Sequence, residues 1–435
     1  MVTEALKATS GPGVAGWRYP GWRVVALGFV IFFFGFGGPT SSMPLVYSEV
    51  MHEFGWTRTT ATLIYTWKGV TGAAVAIFLI GPLVERFGLK PVFITVITAE
   101  AIGFATFYFV HSIWTYYVTG FLIGLGQGAV LLCIKLLVSR WFMRNVGFAC
   151  AIAIAGASFG GVVFPLYLSV AIPELGWRLS FALIGIGIFV VSVPLILIVN
   201  QNPTEKEILP EAVGDSGARP SPAQAEALKA AEIEASFGEI IRMPMFWCMT
   251  VSIVIIAGVD QGLFQHSQLY FTREAGLSQM QAASALSITF LIGLFAKFVA
   301  GKFFDRTSIR GISFWYLLIA GMVLLALPVS DYRTAMIFTF ALGFANGGIV
   351  TEAPVMAKHV YGPRHMNRVL PILTGCFALG SSGGPVFLAM IYDSIGGYFW
   401  GFILYAALAV LAAFLIWQVR PMYRDRLREV TGATA

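Results

Sequence analysis

Gly81-Pro-Leu-Val-Glu85-Arg86-Phe-Gly88-Leu-Lys90-Pro91 follows one long apolar run, and Gly301-Lys302-Phe-Phe-Asp305-Arg306-Thr-Ser-Ile-Arg310-Gly311 follows another in the second half of the chain. Both stretches set a glycine four residues before an acidic residue and an arginine, as Gly81, Glu85, Arg86 and as Gly301, Asp305, Arg306. Gly88 and Lys90 complete the first copy. A short polar loop recurring after equivalent apolar runs marks a duplicated unit.

Working outward from these loops, apolar runs lie near 22–47, 56–82, 91–110, 114–139, 146–170, 178–199, 244–270, 279–303, 312–329, 333–356, 367–392 and 397–419. Each is close to the roughly 20 residues that a helix needs to cross a bilayer. The quoted loops follow the second and the eighth run. The fifth contains Gly156-Ala-Ser-Phe-Gly160-Gly161 and then Pro165, and the eleventh contains Gly380-Ser-Ser-Gly383-Gly384-Pro385. The sixth and twelfth open on Gly176-Trp-Arg and Gly396-Gly-Tyr. Two parallel six-helix repeats are a transporter architecture, with a site expected near the midplane between them. The reading is an all-α membrane protein of twelve transmembrane helices in two pseudo-symmetric bundles. The expected division is a tail (1–21), a first bundle (22–199), a linker (200–243), a second bundle (244–419) and a C-terminal tail (420–435). Residues 222–238, rich in Ala and Glu, are read as a solvated linker or a surface amphipathic helix.

Composition agrees. Of 435 residues 57% are hydrophobic and 11% charged, against about 25% charged in a soluble domain. So few charges cannot cover a water-exposed surface of this size. Lys and Arg collect on one side: Arg23, Arg86, Lys90, Arg140, Lys302, Arg306, Arg364 and Arg420 belong to a set outnumbering Arg58, Arg178, Arg273 and Arg333 about fivefold. This bias puts both termini in the cytoplasm of a multi-pass protein, with a bacterial inner (plasma) membrane as the expected location. The net charge of +6 is accounted for by these loops without nucleic acid. Cys133, Cys150, Cys248 and Cys376 all lie inside apolar runs and have no metal or disulfide spacing. The sequence has no G-x-S-x-G elbow, no phosphate-binding P-loop and no clustered His/Cys set. It therefore reads as a non-enzyme without cofactor or metal, and a monomer is the expected functional unit.

The two loops resemble the signature of the major facilitator superfamily, G-x-L-x-D-R-x-G-R/K-R/K between helices 2 and 3, with a weaker copy between helices 8 and 9. The first copy has Glu85 where the family has Asp. The resemblance implies that these residues latch the cytoplasmic side shut. Finer features look like the monocarboxylate transporter and oxalate–formate antiporter branch: Pro20-Gly21-Trp22-Arg23-Val24-Val25, Glu53-Phe54-Gly55-Trp56-Thr57-Arg58, Arg140-Trp141-Phe142 with Arg144, Gly147 and Ala149, and Phe295-Ala296-Lys297 before Gly301. Departures are Gly293, where animal-type carriers place an Asp, Thr40 in place of a helix 1 Lys, and the absence of a cation from 369–392. The resemblance implies a carrier of a small organic anion, a lactate-, pyruvate- or formate/oxalate-type carboxylate, by alternating access with proton symport or anion exchange. A carrier of a drug-like or sugar solute in the same fold is the competing reading.

An ionised group at bilayer mid-depth costs at least about 2.5–3.5 kcal/mol and so needs a partner or a wet cavity. The intramembrane cations are Lys68, Lys135 and Lys297, and the anions are Glu100, Asp260 and Glu352. Lys297 is the expected substrate contact, because a fixed ammonium attracts a carboxylate far more strongly in a low dielectric. Its alternatives are an ion pair with Asp260 or Glu352, or snorkelling to the inner surface. Asp260, Gln261, Gln265 and His266 cluster on helix 7, where Gln261 and His266 are candidate substrate contacts and Asp260 a proton carrier or charge-pair member. For His266 the alternative is an interfacial residue near the outer end. Lys68 and Glu100 are expected to pair. Gln127 is a candidate substrate hydrogen-bond donor, or a residue packed on a small-residue seam. Glu352 is a pair partner or cavity carboxylate.

Overall fold

The computed structural model describes residues 19–142, 146–201 and 233–431. The N-terminal tail to residue 18, Arg144, and residues 202–232 with most of the expected amphipathic segment lie outside the described residues. Helix α1 covers Gly21–Phe54 with a π-helical turn at Phe33–Gly37, and α2 covers Arg58–Ala74 and continues through a second π turn to Ile80–Phe87. Then come α3 (Leu89–Phe109), α4 (Ile113–Trp141), α5 (Val146–Leu175) and α6 (Trp177–Ile198). After the linker stand α7 (Pro244–Arg273), α8 and α9 sharing Gln279–Leu324 with a break at Ser308, α10 (Tyr332–Tyr361), α11 (Pro363–Ile395) and α12 (Phe399–Trp417). Short helices at Phe237–Arg242 and Met422–Thr431 lie outside the bundles.

Among the described residues ten stretches are long and apolar enough to cross a membrane, and the longest of them, Gln279–Leu324, holds two crossings. Helix α2 is not among the ten; its Arg58–Ala74 part carries Arg58, Lys68 and five threonines. It is held between α4 and α11, which take its polar side chains away from lipid. Large apolar residues such as Phe78, Phe109, Trp114, Phe298 and Phe414 face outward.

Sequence sets where these helices begin. Ser112, Ser278 and Asp331 each accept from the backbone N–H three residues on, forming capping boxes at the starts of α4, α8 and α10. Gly88, with φ 83° and ψ 162°, turns the chain from α2 into α3 through a region that only glycine enters freely.

The duplication is physical as well as textual. Gly156 and Gly160 on α5 lie so close to α1 that an added Cβ would come 2.0 Å from Phe29 O and 2.5 Å from Phe33 O. On α11, Gly380 and Gly384 stand the same way, at 2.1 Å from Val254 O and 2.0 Å from Gly258 O of α7. Gly124 and Gly128 of α4 meet the backbone of α2, and Gly343 and Gly347 of α10 meet α8, in matching positions. Small residues let backbones approach where lipid provides no hydrophobic drive for helix association.

Candidate functional site

The halves join at one end through Arg58, the first residue of α2. Its guanidinium carbon lies 3.5 Å from the ring centroid of Tyr392, its Nη2 3.4 Å from Glu274 Oε1, and its Nε donates to Tyr398 Oη at 3.2 Å. The backbone N–H of Thr59 donates to Asp393 Oδ2 at 2.9 Å. Gln279 Nε2 donates to Glu49 Oε1 at 3.0 Å, and Ser287 Oγ to Val162 O at 2.8 Å.

Midway along the bundle the seam becomes a polar cluster. Tyr47 of α1 donates to Gln265 Oε1 at 2.9 Å, and Tyr65 of α2 donates to Gln261 Oε1 at 2.8 Å. Gln261 Nε2 donates to Asp260 Oδ2 at 3.0 Å, and Asn346 of α10 donates to the same oxygen at 2.9 Å. Asp260 is buried, and its Oδ1 has no partner among the described residues; Gln265 Nε2 is likewise buried and unbonded there.

Between described residues, no hydrogen bond or ion pair joins the halves at the end carrying the signature loops. Glu85, Arg86, Asp305 and Arg306 are exposed, Arg86 stands over the Phe87 ring, and Lys90 turns to the Leu197 and Val199 carbonyls of its own bundle. Among the described residues the molecule is thus fastened at the Arg58 end and unlatched at the loop end.

Lys297 sits between these regimes. Phe290 and Lys297 lie two helical turns apart on α8, so they share a face. Phe290 packs on Gly161 of α5 in the other half, where an added Cβ would come 2.2 Å from the ring. Two turns nearer the loops, Lys297 is half-buried on that same inter-bundle face. It makes no hydrogen bond and no ion pair among the described residues. The alternative pairing with Asp260 is not formed: among the described residues Asp260 accepts from Gln261 and Asn346 through Oδ2 and bonds nothing through Oδ1. Glu352 does not pair with it either: both its carboxylate oxygens are buried without a close partner, beside the Tyr316 hydroxyl.

Other expectations resolve differently. His266 is fully buried, with Nδ1 2.8 Å from Tyr398 Oη and Nε2 2.8 Å from Pro385 O. Both ring nitrogens are occupied, so it ties α7 to α11 and to the start of α12. Gln127 stays within the first bundle, its Nε2 2.9 Å from Thr40 Oγ1. Lys68 and Glu100 are both buried, yet they do not close an ion pair within 4 Å. Tyr47, Tyr65 and Asn346 were not singled out by sequence. Tyr65 carries a faint signal, lying one helical turn before Lys68; Tyr47 and Asn346 carry none.

The family profile described as Major Facilitator Superfamily matches residues 25–333. Monocarboxylate transporter 12 of Mus musculus is 23% identical over 330 residues, covering 72% of this chain and 67% of that protein. The human protein of that name is 24% identical, and the match covers 72% of this chain but only 63% of the relative. The uncharacterized MFS-type transporter YhjX of Escherichia coli (strain K12) is 23% identical, covering 71% of this chain and 74% of its own. Among solved structures, a bacterial homologue of the human lysosomal transporter Spinster, inward-facing and unoccupied, superposes with a TM-score of 0.70 at 14% identity over 96% of this chain and 99% of that one. The nucleoside transporter NupG gives 0.70 at 14% identity over 91% and 99%.

Proposed function

The chain belongs to the major facilitator superfamily, and from that premise we propose that it carries a small monocarboxylate across the membrane by rocking its two bundles about the central cluster. The observation that carries this reading is Lys297, a half-buried ammonium on the inter-bundle face with no counter-ion among the described residues. A cation held this way is costly unless a mobile anion completes it. Lys supplies a point charge, which suits a carboxylate that must also be released. The similarity to proteins named monocarboxylate transporters supports the same substrate class.

Asp260 is the proposed proton carrier. It is buried beside the cross-bundle bond and keeps one oxygen unbonded among the described residues. Gln261 is then a structural member of the seam, and substrate meets it only when the Tyr65 bond opens. The Lys and Arg bias supports a cytoplasmic loop end and cytoplasmic termini, which makes this conformation inward-open.

The test is uptake of labelled lactate and pyruvate into proteoliposomes, with and without an inward acid gradient. Lys297→Gln is expected to abolish uptake while leaving the melting temperature within a few degrees of the parent. Unchanged uptake by Lys297→Gln, or inhibition of binding by nucleosides or organic cations but not by carboxylates, would sink the assignment.

A further inference from the structure

Lys68 is 4% exposed, and among the described residues it donates no hydrogen bond and closes no ion pair. Its ammonium lies 4.3 Å from the centroid of the Tyr65 ring. Glu100 is within electrostatic reach, but both of its carboxylate oxygens are buried and unbonded among the described residues, so it does not satisfy the lysine's donors. An ammonium carries three donors, and leaving them unmade in a low-dielectric interior is expensive.

Its position matters as much as its isolation. The ring that Lys68 touches belongs to the tyrosine whose hydroxyl crosses to Gln261. On the other side of that cluster, Asn346 holds Asp260 and lies against Gly293, where an added Cβ would be 3.7 Å from Asn346 Oδ1. Lys297 is one helical turn beyond Gly293 on α8. One lysine from each bundle, Lys68 on α2 and Lys297 on α8, therefore stands on a helix that borders this cluster, and neither ammonium has a bonded counter-ion among the described residues.

We propose that Lys68 is a second anion-binding residue, so that one carboxylate group is held between Lys68 of α2 and Lys297 of α8 when the bundles close around it. This rests on the carrier reading above and adds a residue to it. A carboxylate has two oxygens and can accept from both ammonium groups at once. While it is ionised, Asp260, whose Oδ1 is unbonded among the described residues, disfavours a second carboxylate by like charge, so in that protonation state the site takes monocarboxylates in preference to dicarboxylates. A ligand shifts a conformational equilibrium only by its differential affinity for the two states. Contacts from opposite bundles exist together only in the closed state, so the anion itself favours closure.

The experiment uses the full chain in proteoliposomes, with labelled lactate and pyruvate as probes and oxalate and malonate as competitors. Lys68→Gln is expected to raise KM by about tenfold or more, and Lys68→Arg to recover most of the loss. The double variant Lys68→Gln/Glu100→Gln removes both buried charges. It is expected to melt like the parent while keeping the raised KM. A parental KM in that double variant would show that Lys68 serves only as a counter-charge to Glu100, and would overturn the proposal. Loss of uptake in Lys297→Gln together with a parental KM in Lys68→Gln would overturn it while leaving the carrier reading intact. No carboxylate uptake by the parent would overturn both. Oxalate or malonate displacing lactate more effectively than pyruvate does would overturn the monocarboxylate preference.

Discussion

The guanidinium of Arg58 lies over the ring of Tyr392 at 3.5 Å, fastening the start of α2 in one bundle to the end of α11 in the other. The same group also reaches Glu274 and Tyr398, and only 11% of its side chain is exposed. Stacking on an aromatic face contributes about 0.5–2 kcal/mol, whereas a partly exposed pair such as Arg58–Glu274 contributes up to about 1 kcal/mol. Arg58→Ala is therefore expected to open this end, and Glu274→Gln to do so less. The measurement is the rate at which an impermeant thiol reagent labels Ser382→Cys in a cysteine-free background, since Ser382 is buried under Thr66 and Gly69 of α2. A loss of about 1.4 kcal/mol would raise the labelling rate about tenfold in Arg58→Ala. An unchanged rate would mean that Arg58 does not hold the closure.

His266 feeds the same junction from inside. The Pro385 carbonyl can only accept, so Nε2 of the imidazole donates to it. Nδ1 of the neutral ring then accepts the Tyr398 hydroxyl hydrogen, while the Tyr398 oxygen accepts from Arg58 Nε. Glutamine can reproduce both roles, its Oε1 accepting from Tyr398 and its Nε2 donating to Pro385. His266→Gln is expected to lower stability by less than about 1 kcal/mol, and His266→Leu by about 1–3 kcal/mol because two buried partners are orphaned. Thermal melting in detergent separates the two. Equal melting temperatures would remove His266 from the junction.

How much of this was legible in the sequence follows from how local each signal is. The signature loops and the glycine segments of α5 and α11 are patterns within a few residues, and packing bears out the glycine segments, whose glycines touch α1 and α7 in matching fashion. Lys297 was legible as a charge in an apolar run. What it faces was not, because helical periodicity gives a direction and says nothing of the neighbour. Tyr47 was silent, and Tyr65 nearly so, for the same reason. Their partners Gln265 and Gln261 lie 218 and 196 positions away, across the bundle boundary. His266 shows the cost: a polar residue on an apolar helix reads as a site until the fold shows both ring nitrogens engaged.

Ser308 stands in the second loop where Gly88 stands in the first, and it adopts φ 59° and ψ −141°, a backbone conformation that favours glycine. Such a residue costs about 1–3 kcal/mol. The structure offsets part of this through Ser308 Oγ, which lies 2.9 Å from His359 Nδ1 on α10, a bond contributing about 0.5–1.5 kcal/mol. Glycine at 308 would relieve the backbone, lose the bond and enlarge the unfolded ensemble by about 0.4–1 kcal/mol, so the terms nearly cancel. Alanine would keep the strain and lose the bond. The expected order of melting temperatures is Ser308→Gly close to the parent and Ser308→Ala lower by the equivalent of about 1 kcal/mol. Gly88→Ala, with no hydrogen bond to recover the strain, is expected to fall by about 1–3 kcal/mol. Ser308→Ala melting above Ser308→Gly would show that the backbone at the α8–α9 break is not strained in the folded protein.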